Sequence, residues 1–377
     1  MKGFKNAKTY LRGKGIVRVD IGFENGRITE IGEDKNIQPI ADTGDCLLVA
    51  GFIDEHIHGA GGADTMDGTA EALSIISKTL AKEGTTAFLA TTMTQSDDKI
   101  KNALKGVAQF KECGGARLLG AHLEGPFISG KYVGAQPPEY VVKPDIGYFK
   151  ELQRVAGNKI KLVTLAPEED DCSLIEYLNK IGVTVSVGHS NATERQVCEA
   201  MQSGLTCVTH TFNAQSPLHH REAGVVGSAL LHNGLFCEVI ADTIHVSVPA
   251  LKLLIKNKPK DKPVLITDSI RAKGEEVSVS ELGGQTVYVK DGQARLKDGT
   301  LAGSVLKMNE AVRNLVTKCG TDIGYAVDCA TYNPAKNLGI ENEYGIIKEG
   351  AFADFTLLDE NFNVVLTVVG GEIVYRA

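Results

Sequence analysis

A (β/α)8 barrel of the TIM type, joined to a small β-sandwich domain built from both chain ends, is the α/β fold class this sequence predicts. Three observations predict it. Eight apolar runs of strand length recur between residues 46 and 269. Amphipathic helical stretches separate most of them. Both chain ends read instead as short alternating strands. Strands alternating with helices imply a parallel sheet, and eight such units imply closure into a barrel rather than an open doubly wound sheet.

The N-terminal β part covers residues 1–49, where IVRVDIGFENGRITEIG alternates in hydropathy and turns at Glu24-Asn25-Gly26. An Asn-Gly pair between alternating segments is a hairpin signal, because both residues tolerate positive φ. The C-terminal β part covers 346–377 and repeats the pattern, with Gly370-Gly371 as the turn of NVVLTVVGGEIVYRA. Between them, residues 50–345 form the barrel. Its strand candidates are CLLVAGFID, TTAFLATT, ARLLGAHLEG, KLVTLAPE, VTVSVGHS, LTCVTHTFN, LFCEVIAD and PVLITDS. GTAEALSIISKTLAKEG, ATERQVCEAMQSG and SVPALKLLIKNK carry helical periodicity between them. Two stretches interrupt the alternation: a Gly/Pro-containing loop at 125–145 and a β-hairpin insertion at 275–300.

Composition excludes several functions. A net charge of -7 with no basic stripe argues against nucleic acid. The eight cysteines include no Cys-x-x-Cys pair and read as free thiols in a reducing cytoplasm. MKGFKNAKTY lacks the apolar core of a secretory signal, and no apolar run reaches the roughly 18 residues that span a bilayer.

Barrel enzymes carry their chemistry at the C-terminal strand ends. Here those ends hold His56 and His58, His122 and Glu124, His189, His210, Asp242 with His245 beyond, and Asp268. Of nine histidines, only His232 lies outside these ends and the loops that follow them, and this clustering points to a metal-dependent hydrolase. His56 and His58, two apart on a strand end, share one face. A buried Glu124 needs a partner, and a metal is one. With His189 and His210 it makes a two-histidine, one-carboxylate set of the kind that binds zinc or iron and leaves positions open for water. Asp268 is the candidate general base beside a metal-activated water, whose pKa falls toward about 7. The loop from His210 to Gly224 is polar, and Arg221 with the amides around Asn213 and Ala214 suits an anion such as phosphate.

These motifs resemble a known family. GFIDEHIHG is similar to the first-strand motif of the amidohydrolase superfamily. HLEGPFI, VGHSNAT, THTFNA, HHREAGVVG, ADTIHV, LITDS and TLAGSVL, in that order from Cys46 to Met308, resemble its N-acetylglucosamine-6-phosphate deacetylase family. The resemblance implies hydrolysis of the acetamide of a phosphorylated amino sugar in amino-sugar metabolism. It implies Glu124, His189 and His210 as principal metal ligands, Asp268 as catalytic acid/base, and Asn213, Ala214 and Arg221 as phosphate contacts. Arg221 would reach in from the neighbouring subunit of a homodimer. His245 would bind the sugar, and Leu301, Ala302 and Gly303 of TLAGSVL would line the substrate site. His56 and His58 make a second metal possible, so one or two Zn2+ or Fe2+ ions per subunit are expected. Gln136 stands where some members carry a histidine that polarises the acetyl carbonyl. Thr243 stands where glycine is frequent, and its side chain is expected to narrow the sugar pocket. Alternatives are an N-acetylgalactosamine-6-phosphate deacetylase, another amidohydrolase, or a scaffold without activity. Cyclic-amide hydrolases usually carry a bridging lysine on a middle strand; the fourth run ends Leu165-Ala166-Pro167-Glu168 without one.

Overall fold

The computed structural model describes residues 1–33 and 36–377. The eight predicted runs form β1 (Phe52–Ile57), β2 (Thr85–Thr91), β3 (Arg117–Glu124), β4 (Ile160–Leu165), β5 (Thr184–Val187), β6 (Cys207–Val208), β7 (Phe236–Ile240) and β8 (Pro263–Ile266). They pair in parallel and in chain order. The ring closes just beyond the paired strands. The Asp268 N–H donates to the His56 carbonyl at 2.8 Å, and the His58 and Gly59 N–H groups both donate to the Ser269 carbonyl at 2.9 Å. Asp54, buried on β1, accepts from the Thr267 N–H at 3.2 Å and so staples the same seam.

The first apolar run splits in two at Gly51. Leu47–Ala50 joins the terminal sheet, and only Phe52 onward enters the barrel. A Cβ on Gly51 would sit 2.1 Å from Thr86 Oγ1, so glycine lets the chain pass from one sheet to the other against β2.

Helices α1 (Ala70–Ala81), α2 (Asp97–Gln109), α3 (Ile146–Val155), α4 (Ser173–Lys180), α5 (Glu194–Ser203), α6 (Gly224–Leu231) and α7 (Val248–Asn257) follow β1 to β7, and α8 (Met308–Asn314) follows β8. Their sequences explain their limits. α1 buries Leu73, Ile76 and Leu80, one face at helical spacing. α5 opens with a Thr193–Gln196 capping box and stops at Gly204, whose φ is 118°.

The inward face of the barrel is not apolar. His122 Nε2 lies 2.7 Å from Thr164 Oγ1, Thr164 Oγ1 lies 2.7 Å from Thr209 Oγ1, and Thr209 Oγ1 lies 2.6 Å from Ser186 Oγ. Buried hydroxyls of this kind must satisfy one another, and this ladder does so beneath the strand ends.

Strands from both termini form one hydrogen-bonded eight-stranded sheet, in which 47–50 and 355–358 pair at the centre. Phe4, Ile21, Phe23, Phe355 and Leu366 give it a core separate from that of the barrel. Both predicted turns are present: Asn25 and Gly26 have φ of 51° and 77°, and Gly370 and Gly371 have 57° and 79°. The insertion after β8 contains three antiparallel strands, 279–282, 285–290 and 293–295, not the expected two. It is tied to the barrel mouth by Gln95 Nε2 on the Gly283 carbonyl at 2.8 Å and Gln285 Nε2 on the Ala135 carbonyl at 2.7 Å. Among the described residues, no helix is long and apolar enough to cross a membrane.

One buried ion pair joins the segment after β8 to the end of α1. Lys273 Nζ donates to Glu83 Oε1 at 2.8 Å, and both residues are buried. Burial pushes the Glu83 carboxyl up to about 7 against the pull of Lys273. Lys273→Met leaves that carboxylate without its partner and is expected to cost about 3–5 kcal/mol. Urea unfolding should register this loss, and adding Glu83→Leu should recover most of it. An unchanged urea midpoint in the single variant would contradict the pairing.

Candidate active site

The predicted residues converge where the strand ends meet. His56 and His58 come from the end of β1, Glu124 from β3, His189 from beyond β5, His210 from beyond β6 and Asp268 from beyond β8. Glu124 sits at the centre. Its Oε1 lies 3.1 Å from His210 Nε2, 3.2 Å from His189 Nε2 and 3.6 Å from His56 Nε2. Its Oε2 lies 3.2 Å from His58 Nε2. Asp268 Oδ1 lies 3.2 Å from His58 Nε2 and 3.5 Å from His56 Nε2. Two sets of possible ligand atoms therefore share one carboxylate: His56, His58 and Glu124, and Glu124, His189 and His210.

The backbone is bent to achieve this. His189, His210, Phe212, Ala214, Thr243 and Asp268 have φ of 50°, 28°, 83°, 49°, 70° and 47°. Residues other than glycine held in this region cost about 1–3 kcal/mol each, and such strain gathers at functional sites. Gly303, at φ 57°, lets the segment after the insertion approach Asp268, since a Cβ there would lie 2.9 Å from the Asp268 carbonyl oxygen.

The electrostatics call for a cation. His189 Nδ1 is 2.9 Å from the Tyr132 carbonyl, which can only accept, so Nδ1 carries the proton. His56 Nδ1 is 2.9 Å from Glu238 Oε2 and likewise donates. The Nε2 lone pairs of both rings then point at carboxylate oxygens, and His189 Nε2 also lies 3.1 Å from His210 Nε2. Buried acceptors facing acceptors need protons or a metal between them. Where protons and not a metal fill that role, the imidazoles carry them: burial alone would raise Glu124 and Asp268, yet a protonated His56, with hydrogen bonds from the other histidines, holds Glu124 well below the usual carboxylate range and Asp268 below it. Burial works against charging His58, but Asp268 and Glu124 outweigh it and raise its pKa to about 10. Imidazole pairs with a shared carboxylate are a donor set for Zn2+ or Fe2+, not for the oxygen-seeking Mg2+ or Ca2+.

Above the cluster lies a cavity of about 220 Å3 lined by His58, Glu124, Gln136, His245, Asp268 and Leu282 among others. That is below the roughly 300–1,000 Å3 of pockets for drug-sized ligands and suits one small ring. Asn213, Ala214, Leu301 and Gly303 also line it. Three sequence-predicted residues are placed elsewhere. Ala302 is fully buried in the small core of the insertion. Arg221 is exposed, with Nη1 2.8 Å from His220 Nε2, and does not line the cavity of its own chain. Thr243 does not line it either; its hydroxyl accepts from Lys318 Nζ at 3.2 Å, so the expected narrowing by that side chain is absent.

Gln136 is buried and spends its amide on the cluster. Nε2 donates to Glu124 Oε2 at 2.8 Å, while Oε1 accepts the Thr94 N–H at 2.7 Å. Asp242 Oδ2 takes His245 Nδ1 at 2.6 Å, which leaves Nε2 as the ring nitrogen available to a ligand. Asn213 donates its backbone N–H to the His210 carbonyl at 3.0 Å.

The model of the amidohydrolase family matches residues 47–374. This chain is a member of the amidohydrolase family. It is 44% identical over 368 residues to the N-acetylglucosamine-6-phosphate deacetylase of Bacillus subtilis, covering 94% of this chain and 92% of that protein. The crystal structure of the Thermotoga maritima N-acetylglucosamine-6-phosphate deacetylase superimposes with a TM-score of 0.91 at 36% identity, over 100% of both chains. A mutant of the Mycobacterium smegmatis deacetylase, in complex with N-acetyl-D-glucosamine-6-phosphate, superimposes with a TM-score of 0.92 at 28% identity, over 99% of this chain and 100% of that one. Within the amidohydrolases the chain therefore belongs with the N-acetylglucosamine-6-phosphate deacetylases, a metal-dependent family. The His/Glu clusters described above are able to hold a metal ion.

Sequence reading missed Glu238. It stands mid-strand in LFCEVIAD, is fully buried, and touches the ligand cluster. A lone glutamate inside an apolar strand was the available signal.

Proposed function

We propose that this amidohydrolase hydrolyses the acetamide of N-acetyl-D-glucosamine 6-phosphate to D-glucosamine 6-phosphate and acetate. The observation that carries the reading is the convergence of four imidazoles on Glu124, with Asp268 beside two of them, at the floor of a cavity of about 220 Å3. Glu124, His189 and His210 would hold one Zn2+ or Fe2+, and His56 and His58 with Glu124 a second. When bound, a divalent cation supplies Lewis acidity, which polarises an acyl oxygen and makes water more acidic.

The chain's own groups do the rest. Asp268, on the floor of the cavity, takes the proton of the attacking water. It returns that proton to the amine nitrogen as the C–N bond breaks. Gln136 holds Glu124 in place. His245 offers Nε2 to a sugar hydroxyl, and Leu301 and Gly303 close the other side of the cavity. The 6-phosphate is assigned to the turn at Asn213 and Ala214, where it competes with the His210 carbonyl for the Asn213 amide. Arg221 faces outward, as a residue serving the site of a neighbouring subunit in a homodimer would. A cytoplasmic location fits eight free thiols.

The test is acetate release by zinc- or ferrous-loaded protein from N-acetylglucosamine 6-phosphate, its galactosamine epimer and the unphosphorylated sugar. Turnover that depends on phosphate and favours the glucosamine epimer is expected. Equal turnover of the unphosphorylated sugar would remove the anion site. No turnover with metal bound would move the substrate elsewhere in the family. In the same assay Arg221→Ala should raise KM with kcat nearly unchanged, the pattern of lost uniform binding.

A further inference from the structure

Glu238 lies below the ligand cluster on β7, with no exposure to solvent. Its Oε2 accepts two hydrogen bonds, one for each half of the cluster. His56 Nδ1 donates at 2.9 Å, and the His210 backbone N–H donates at 3.2 Å. The backbone carbonyl of Glu238 also accepts the Thr211 N–H at 2.8 Å. His210 is therefore bracketed by one residue, which accounts for how the chain holds its φ of 28°.

The two bonds differ in kind. The bond to His210 acts on the backbone, and the His210 ring is aimed separately, by Glu124 and His189 at 3.1 Å each. The bond to His56 acts on the ring itself. It fixes which nitrogen carries the proton and leaves Nε2 bare toward Glu124 and Asp268. A buried imidazole without that acceptor is free to put its proton on Nε2, where it donates to Glu124 or Asp268 instead of meeting a cation. Carboxylates that fix a ligand histidine in this way raise metal affinity about 10–100-fold.

We propose that Glu238 is a positioning residue that holds His56 as the Nδ1–H tautomer, and that it thereby determines whether the His56–His58–Glu124 half of the site takes its own metal ion. This rests on the metal-dependent reading above. Loss of Glu238 should empty one half of the site selectively.

Calorimetric titration of zinc into metal-depleted full-length protein tests this, with elemental analysis of the dialysed product. Wild type should show two binding events per chain. Glu238→Gln keeps the volume and, with its amide oxygen held toward the His210 N–H, offers His56 Nδ1 only a neutral acceptor in place of a charged one, which holds the Nδ1–H tautomer less firmly. One event should weaken about 10–100-fold while the other stays within about threefold. Nitrogen-15 spectra of the imidazoles should show His56 changing from Nδ1–H to Nε2–H, a signature that simple loosening would not produce. Should Glu238→Gln fail to fold, Glu238→Asp, which draws the acceptor back by one methylene, carries the same comparison. The proposal is overturned by two unchanged events, by equal weakening of both, or by a single event in the wild type. Absence of any zinc binding in the wild type would instead overturn the metal reading on which it rests.

Discussion

Asp268→Asn is expected to bind metal and substrate and to lose about 10²–10⁴ of kcat, the range that a positioned general acid–base group contributes. The argument is geometric. Asp268 Oδ1 lies within 3.2–3.5 Å of two imidazoles on the cavity floor, and its backbone is anchored by the N–H bond to the His56 carbonyl. Asparagine preserves that backbone bond and nearly the same volume. What it removes is an oxygen able to accept a proton from water and hand it to nitrogen. Steady-state kinetics should therefore show kcat and kcat/KM falling together, with zinc content unchanged. That pattern marks an interaction made only in the transition state. Turnover near that of the wild type would remove Asp268 from the chemistry. Lost zinc would recast it as a ligand.

The barrel was legible in the sequence because its signals are local. Each apolar run is bounded by polar or glycine-containing turns, and the strand ends announce themselves by carrying His, Glu and Asp where an apolar core would not. What failed was whatever depends on contacts distant in the chain. CLLVAGFID reads as one strand, since nothing in its composition marks the step at Gly51 from one sheet to another; only the proximity of Thr86 does. The third strand of the insertion is three residues long, Gln293–Arg295, too short for a period to declare itself. Glu238 escaped because its meaning lies in His56, 182 residues away. The bond of Gln136 to Glu124 follows from a loop conformation that the eleven intervening residues do not dictate. Thr243 was expected in the pocket, but its φ of 70° and the bond from Lys318 turn on backbone geometry that a motif does not encode.

Glu124→Gln should do more damage than the loss of any single histidine, because both halves of the site depend on this side chain. Four imidazole Nε2 atoms lie 3.1–3.6 Å from its two oxygens. Removing one histidine leaves the other half intact. Removing the charge of Glu124 leaves two pairs of neutral rings facing an amide, whose NH2 group, if turned inward, repels a cation outright. The substitution is nearly isosteric, and the Gln136 amide still finds an oxygen to bond, so the fold should survive. Metal affinity should fall by more than the roughly 10–100-fold cost of losing an outer hydrogen-bond partner, and it should fall in both halves together. Elemental analysis after dialysis should find less than one ion per chain, and acetate release should fall with it. Excess zinc should restore little activity, since the shared ligand itself is missing. Two retained ions per chain would show that the imidazoles and Asp268 suffice, and Glu124 would then be a neighbour of the metal site and not its centre.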